Sequence, residues 1–291
     1  MISRIRIQIL ISTVITVCFL AFPDHVLADR QSPRLFAWQG LKFGAHGIGY
    51  RVVQQYDFGR SFRRDSDYFG NVYRGEKARP VQISIWYPAK KRSTLPRMSY
   101  VDYLLKVVNE TDFAIPDKAA KQAFLLKWKQ DYERRKIPVD VLIELLSEKM
   151  NAVENAEASA GPFPLILYAA SINSSPYENL FLFEYLASHG YIVAAVPSNG
   201  RHSGIMTMDW EGSNAQVDDL AFVLAYMKSD STVDFERIGA LGFSWGGLAV
   251  SQLAVKNHLI DGTVCLDGGV RFGFDGNRWK PPVHHRPRGD E

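Results

Sequence analysis

One stretch, Ile238-Gly-Ala-Leu-Gly-Phe-Ser-Trp-Gly-Gly-Leu248, constrains this chain more than any other. The apolar run Arg237 to Gly242 has the length of a buried strand, and Leu248 to Asn257 carries apolar residues at helical spacing. Between them stands Gly242-Phe243-Ser244-Trp245-Gly246, so the chain must turn sharply from strand to helix at Ser244. Such a turn holds the serine in a strained conformation with its hydroxyl exposed, and side chains at positions 242 and 246 would collide with neighbouring backbone. The helix that follows points its positive end at the serine, which favours an anionic intermediate there.

The rest of the carboxyl-terminal half repeats the same alternation. Phe163 to Ala169 and Tyr191 to Pro197 are continuous apolar runs, and between them Tyr177 to His189 reads as an amphipathic helix ended by Gly190. Asn214 to Lys228 carries Val217, Leu220, Ala221, Val223, Leu224 and Met227 on one helical stripe, and Gly262 to Leu266 is a further strand. Strands alternating with helices across short loops predict an α/β domain with a mostly parallel sheet covered by helices on both faces.

Upstream the pattern differs. Ala37 to Arg64 is rich in glycine and aromatics, which predicts short strands and turns forming a hairpin that leads into the sheet. Pro80 to Pro88 alternates Val81, Ile83 and Ile85 with Gln82 and Ser84, the signature of a half-buried strand. From about 100 to 158, dense charge and helical spacing in Phe124-Leu125, Trp128 and Tyr132, then Val141-Leu142, Leu145-Leu146 and Met150, predict two or three amphipathic helices. These form an insertion that is either a lid or a packing element, joined to the core by the small, polar linker Asn155 to Gly161.

The amino terminus carries Arg4 and Arg6, an apolar stretch from Ile7 to Phe22 and the small-residue site Val26-Leu27-Ala28, the order of a signal peptide cleaved after Ala28. Residues 1–28 are thus expected to be removed and 29–291 to form one exported domain, secreted or periplasmic, with no stable membrane span. Cleavage takes Cys18 and leaves Cys265 alone, which excludes an internal disulfide, and no Cys and His cluster at ligand spacing predicts a zinc site. The formal charge of +3 is spread as interspersed Lys, Arg, Asp and Glu, so nothing points to nucleic acid. Oligomeric state is not readable.

Several separate stretches resemble one family. Phe163-Pro-Leu-Ile-Leu-Tyr-Ala-Ala-Ser-Ile-Asn, Glu184-Tyr-Leu-Ala-Ser-His-Gly-Tyr-Ile-Val-Ala-Ala-Val-Pro-Ser, Gly242-Phe-Ser-Trp-Gly-Gly and Val264-Cys-Leu-Asp-Gly-Gly are similar to the dienelactone hydrolase and platelet-activating factor acetylhydrolase branch of the α/β-hydrolases. The resemblance spans most of Gly40 to Gly269 outside the insertion. It implies an α/β-hydrolase fold and hydrolysis of a small-molecule or lipid ester through an acyl-enzyme, without a cofactor.

It further implies that Ser244 is the nucleophile and that Asp267, at the carboxyl end of the strand Gly262 to Leu266, is the acid that orients a histidine. The oxyanion hole then takes the Trp245 N–H and one from the loop after Ala169, where the family often has His-Gly and this chain has Ala169-Ala170. Ser171 is the implied donor, with Ala170 or Ile172 as alternatives if the loop is displaced. The order serine, acid, histidine leaves only His284 and His285 as bases. They stand in an atypical tail, 270–291, that lacks the family's last helix and two strands, so the chain reads as truncated at its carboxyl end. The rival expectation is therefore a catalytically dead hydrolase or a ligand-binding pseudoenzyme. His202 falls in a loop bordering the site, but chain order argues against it as base. Asp218 and Asp219 read as one solvated position and one structural partner.

Overall fold

A computed structural model of the chain describes residues 41–268, except 63–70, 73, 75 and 92. The signal peptide expected at 1–28, the tail 270–291 and with it His284 and His285 lie outside the described residues. All described residues belong to one unit of the chain.

The elements run β1 (Gly47–Ser61), β2 (Ala78–Ala89), β3 (Arg97–Ser99), α1 (Tyr100–Leu104), α2 (Lys118–Arg134), α3 (Val139–Ser147), β4 (Lys149–Glu154), β5 (Phe163–Ala169), α4 (Leu180–Ser188), β6 (Ile192–Val196), α5 (Trp210–Met227), β7 (Val233–Phe243), α6 (Trp245–Lys256) and β8 (Gly262–Leu266). The strands form one sheet in the order β3-β4-β1-β2-β6-β5-β7-β8. β6, β5, β7 and β8 are mutually parallel, β2 runs antiparallel to β6 and to β1, and β4 joins the outer edge of β1 in parallel. Helices α5 and α6 cover one face over a core that includes Val81, Ile83, Leu165, Leu167, Ala194, Leu220, Val250 and Leu253. On the other face α4, through Phe183, joins a core with Tyr50, Trp86, Tyr103, Tyr168 and Tyr177. This is the mostly parallel sheet with helices on both faces that the alternation of strands and helices predicts, and the α/β-hydrolase arrangement that the family resemblance implies.

Three expectations need correction. The described part of Ala37 to Arg64, residues 41–62, contains no hairpin of its own: β1 is a single strand of 15 residues and pairs with β2. Its glycines serve clearance rather than turning, since a side chain at Gly49 would stand 2.2 Å from the Tyr87 ring. Strand β2 is buried throughout and not half-buried, because the positions between its apolar residues face a second core. There Ser84 Oγ meets the hydroxyls of Tyr177 at 2.9 Å and Tyr50 at 3.2 Å, and Gln82 Oε1 accepts from Gln54 Nε2. The insertion also holds more than helices. It ends in β4, whose Asn151 and Ala152 N–H groups donate to the buried carboxylate of Glu184 on α4, so 149–154, which contains Met150 of the expected helical spacing and stops just before the expected linker, is a sheet strand. The insertion's helices share a small core of Leu104, Val108 and Phe124.

Candidate active site

Parallel strands end at the same side of a sheet, and the carboxyl ends of β5, β6, β7 and β8 gather the loops that carry the residues singled out by sequence. Ser244 lies between β7 and α6 with φ 50° and ψ −114°, the left-handed strain expected of a strand-to-helix turn. It is partly exposed. Its N–H donates to Leu266 O at 2.9 Å, and its own carbonyl accepts from Gly247 N at 3.0 Å. The flanking glycines are required by contact. A Cβ at Gly242 would lie 2.2 Å from Gly246 O, and one at Gly246 would lie 2.1 Å from Ala169 O. The second contact seats the end of β5 directly against the first turn of α6.

Trp245 opens α6 and is 1% exposed. Its side chain packs with Leu248, with Met206 from the loop after β6 and with Ile172 from the loop after β5. The two loops that wall the serine therefore touch over Trp245. They are also tied by hydrogen bonds: Met206 N–H donates to Asn173 Oδ1 at 2.6 Å, and Ser198 N–H to Ser174 O at 2.9 Å.

Ser171 is differently engaged. Its N–H donates to Glu178 Oε1 at 2.7 Å and its hydroxyl to Oε2 at 2.5 Å, while Tyr168 adds a third bond to the same carboxylate. A group already committed to a carboxylate does not face an oxyanion, so the implied role of Ser171 conflicts with this geometry. Of the two alternatives, Ala170 has its carbonyl, though not its N–H, held by Gln216 Nε2 at 2.8 Å, and the Ile172 side chain packs against the cluster of Met206, Trp245 and Leu248. Burial pushes the Glu178 carboxyl above the ordinary carboxylate range, against the opposing pull of its Ser171 and Tyr168 donors. Sequence reading passed over Glu178. Ser175-Pro176-Tyr177-Glu178 has the spacing of a capping box, which was the available signal that this acid bonds backbone N–H groups; it reaches back to the loop instead.

Asp267 follows β8 with φ 54° and is exposed. Because Phe243 and Leu266 are register partners, Ser244 and Asp267 leave adjacent strands at the same level. Of the other histidines, His46 packs on Phe163 at the opposite end of the sheet, and His202 is exposed in the loop after β6. Asp219 is the structural partner of the pair on α5, buried against Arg79, while Asp218 is exposed. Among the described residues no group of three or more His, Cys, Asp or Glu side chains is placed to hold a metal, and no helix is long and apolar enough to cross a membrane.

Residues 185–287, which include Ser244 and Asp267, match the model of the dienelactone hydrolase family. Among solved structures, a ferulic acid esterase from Streptomyces cinnamoneus is 20% identical with a TM-score of 0.50. That alignment covers 76% of this chain but only 58% of the esterase, and at this identity it speaks for the fold alone. The α/β hydrolase GrgF from a Penicillium species is 14% identical over 37% of this chain and 38% of that one, with a TM-score of 0.33. No curated protein matches.

Proposed function

Taking as premise that this chain is an α/β-hydrolase of the dienelactone hydrolase-like branch, we propose that it is an exported serine esterase that cleaves a small-molecule or lipid carboxylic ester through an acyl-enzyme on Ser244. The observation that carries this reading is the conformation of Ser244, a non-glycine residue at φ 50° between a buried strand and a helix amino terminus. Strain of this kind is retained where it serves to present a side chain.

In the proposed reaction a histidine, which chain order makes His284 or His285, takes the Ser244 proton while Oγ attacks the ester carbonyl. The negative charge that develops on the carbonyl oxygen is met by the N–H groups of Trp245 and Ile172, aided by the positive end of α6. The alkoxide leaves with the proton from the histidine, and water then repeats the sequence in reverse to free the acid. Asp267, level with Ser244, orients the histidine and stabilises its cationic form. Ile172 replaces Ser171 as second donor because the Ser171 N–H is held by Glu178.

Labelling by a fluorophosphonate probe, together with turnover of short-chain nitrophenyl esters, tests the reading. Ser244→Ala is expected to abolish labelling and lower turnover by about 10⁶-fold, the scale set by removal of a triad serine elsewhere. Labelling that survives in Ser244→Ala, or a wild-type chain that neither labels nor turns over any ester, overturns it.

A further inference from the structure

We propose that Arg79, remote from the reacting serine, is a positioning residue that fixes the wall of the substrate pocket through the backbone of the loop after β6. The inference rests on the esterase reading of the Ser244 site. Arg79 stands near the start of β2 and is 1% exposed. One edge of its guanidinium, Nε and Nη2, grips the Asp219 carboxylate on α5 at 2.5 and 2.6 Å. An ion pair needs no more than this fork, yet the remaining donors go to three consecutive carbonyls of the loop: Nη2 to Asn199 O at 3.1 Å, and Nη1 to Gly200 O at 2.7 Å and Arg201 O at 3.1 Å. Three carbonyls turned toward one point cannot belong to a regular strand or helix. Their arrangement depends on the cation.

From there the connection to the serine is short. Gly200 lies against Ile205, whose carbonyl oxygen would be 2.0 Å from a Cβ at that position, so the loop folds back on itself. The fold-back delivers Met206 to the cluster it forms with Trp245 and Leu248, against which Ile172 packs, and its N–H to Asn173 Oδ1; Trp245 and Ile172 are the residues assigned to the oxyanion hole. Arg79 itself touches no reacting atom. It holds Asn199 to Arg201, these hold Met206, and Met206 bounds the space that an ester's substituent occupies next to Ser244.

A lysine in place of Arg79 keeps the charge but offers one compact ammonium, which cannot span a carboxylate and three carbonyls together. Arg79→Lys is therefore expected to retain cooperative melting and Ser244 labelling. The ratio of kcat/KM for nitrophenyl butyrate over acetate should change by about tenfold, since the pocket wall and not the nucleophile is disturbed. Met206→Ala, which leaves the ion pair intact, should move the same ratio in the same direction. Hydrogen exchange should show protection lost in 198–208 and unchanged in β5 and β7. A ratio within twofold of wild type in both variants overturns the proposal, as does a parallel loss on both esters with protection falling across the whole sheet, which would make Arg79 a residue of the fold alone. If the wild-type chain neither labels nor turns over esters, the esterase reading has failed, and exchange decides about Arg79: protection lost in 198–208 alone upholds the clamp, and any other pattern rejects it.

Discussion

The two halves of the sheet are built by different means. In the half made of β5, β6, β7 and β8, geometry is imposed by backbone against backbone: Gly246 on Ala169, Gly242 on Gly246, Ser244 N–H on Leu266. In the half made of β1, β2 and β4, it is imposed by side chains that meet across long sequence separations. Trp86 Nε1 donates to Tyr103, Tyr103 donates to Glu184, and Glu184 in turn accepts from the backbone of β4. The first kind of construction is local and leaves a mark in a few adjacent residues. The second leaves almost none, because a buried glutamate and a buried tyrosine are ordinary residues until their partners are known. The chemistry proposed for Ser244 sits in the first half, and the insertion sits in the second.

The largest expected effect tests whether the first half depends on backbone clearance. Gly246→Ala puts a methyl 2.1 Å from Ala169 O and 2.8 Å from Ala170 O, and neither atom is the end of a flexible side chain. A loss of about 3 kcal/mol or more in unfolding free energy is expected, with loss of Ser244 labelling. Gly262→Ala in β8 is the control, since nothing lies within 4 Å of a Cβ there, and its effect should stay within about 0.5 kcal/mol. Urea denaturation of both variants gives the comparison. Equal effects would remove the distinction between the two kinds of glycine.

What could be read from sequence follows the same division. The strand-elbow-helix unit and the alternating helices and strands after Phe163 were legible because each depends on neighbours in the chain, whereas helical spacing marked one of Asp218 and Asp219 as structural without naming its distant partner Arg79. Strand β4 was not, since Lys149-Met-Asn-Ala-Val-Glu154 continues a helical spacing and becomes a strand only where β1 and the Glu184 carboxylate receive it. The burial of β2 was hidden for the same reason: Gln82 and Ser84 look like solvent positions until Gln54, Tyr50 and Tyr177 supply partners. At the site, Ser244 was marked by its glycines. The engagement of the Ser171 N–H was unmarked, because Glu178, seven residues on, takes it from a direction that chain order does not specify.

A construction that relies on side-chain partners can contain a group that lacks one, and Glu110 is such a group. It follows the 3-10 turn Leu105–Asn109, is 7% exposed, and its Oε1 has no hydrogen-bond partner. Burial pushes its carboxyl well above the ordinary range. A folded-state pKa above the unfolded one favours proton uptake by the folded chain, so the contribution of Glu110 to stability is present at low pH and lost as pH rises through the folded value. Glu110→Gln removes the ionisation and keeps the shape. The variant should be more stable than wild type at pH 8 by roughly 1–3 kcal/mol, the cost of ionising a desolvated carboxyl that a neutral amide does not carry, and the gain should vanish once the pH falls below the ordinary carboxylate range. Thermal melts at several pH values measure this. A variant no more stable at pH 8, or a gain that persists in acid, would mean that Glu110 has a partner in solution.

The smallest expected effect comes from a side-chain contact that joins the two halves. Arg51 on β1 pairs with Asp230 in the turn before β7, where the same carboxylate accepts from the Thr232 N–H at 2.9 Å and hydroxyl at 2.6 Å. Desolvation works to raise the Asp230 carboxyl, but the Thr232 donors and Arg51 outweigh it and hold it below its usual value. A depressed folded-state pKa contributes stability that is present above the unfolded value and lost as pH falls through the folded one. The Arg51 side chain is one-third exposed, so solvent screens the pair, and Arg51→Ala should cost only about 0.5–1 kcal/mol near pH 7. That cost should shrink in 1 M salt and again on acidification through the range where Asp230 takes up its proton. Arg51 also lies over the Tyr87 ring, 5.1 Å from its centroid, a contact indifferent to the state of Asp230. Urea denaturation of wild type and variant at pH 7 and pH 3 separates the two: a cost that disappears at pH 3 assigns the contribution to the ion pair across the halves, and a cost that survives assigns it to stacking within the amino-terminal half.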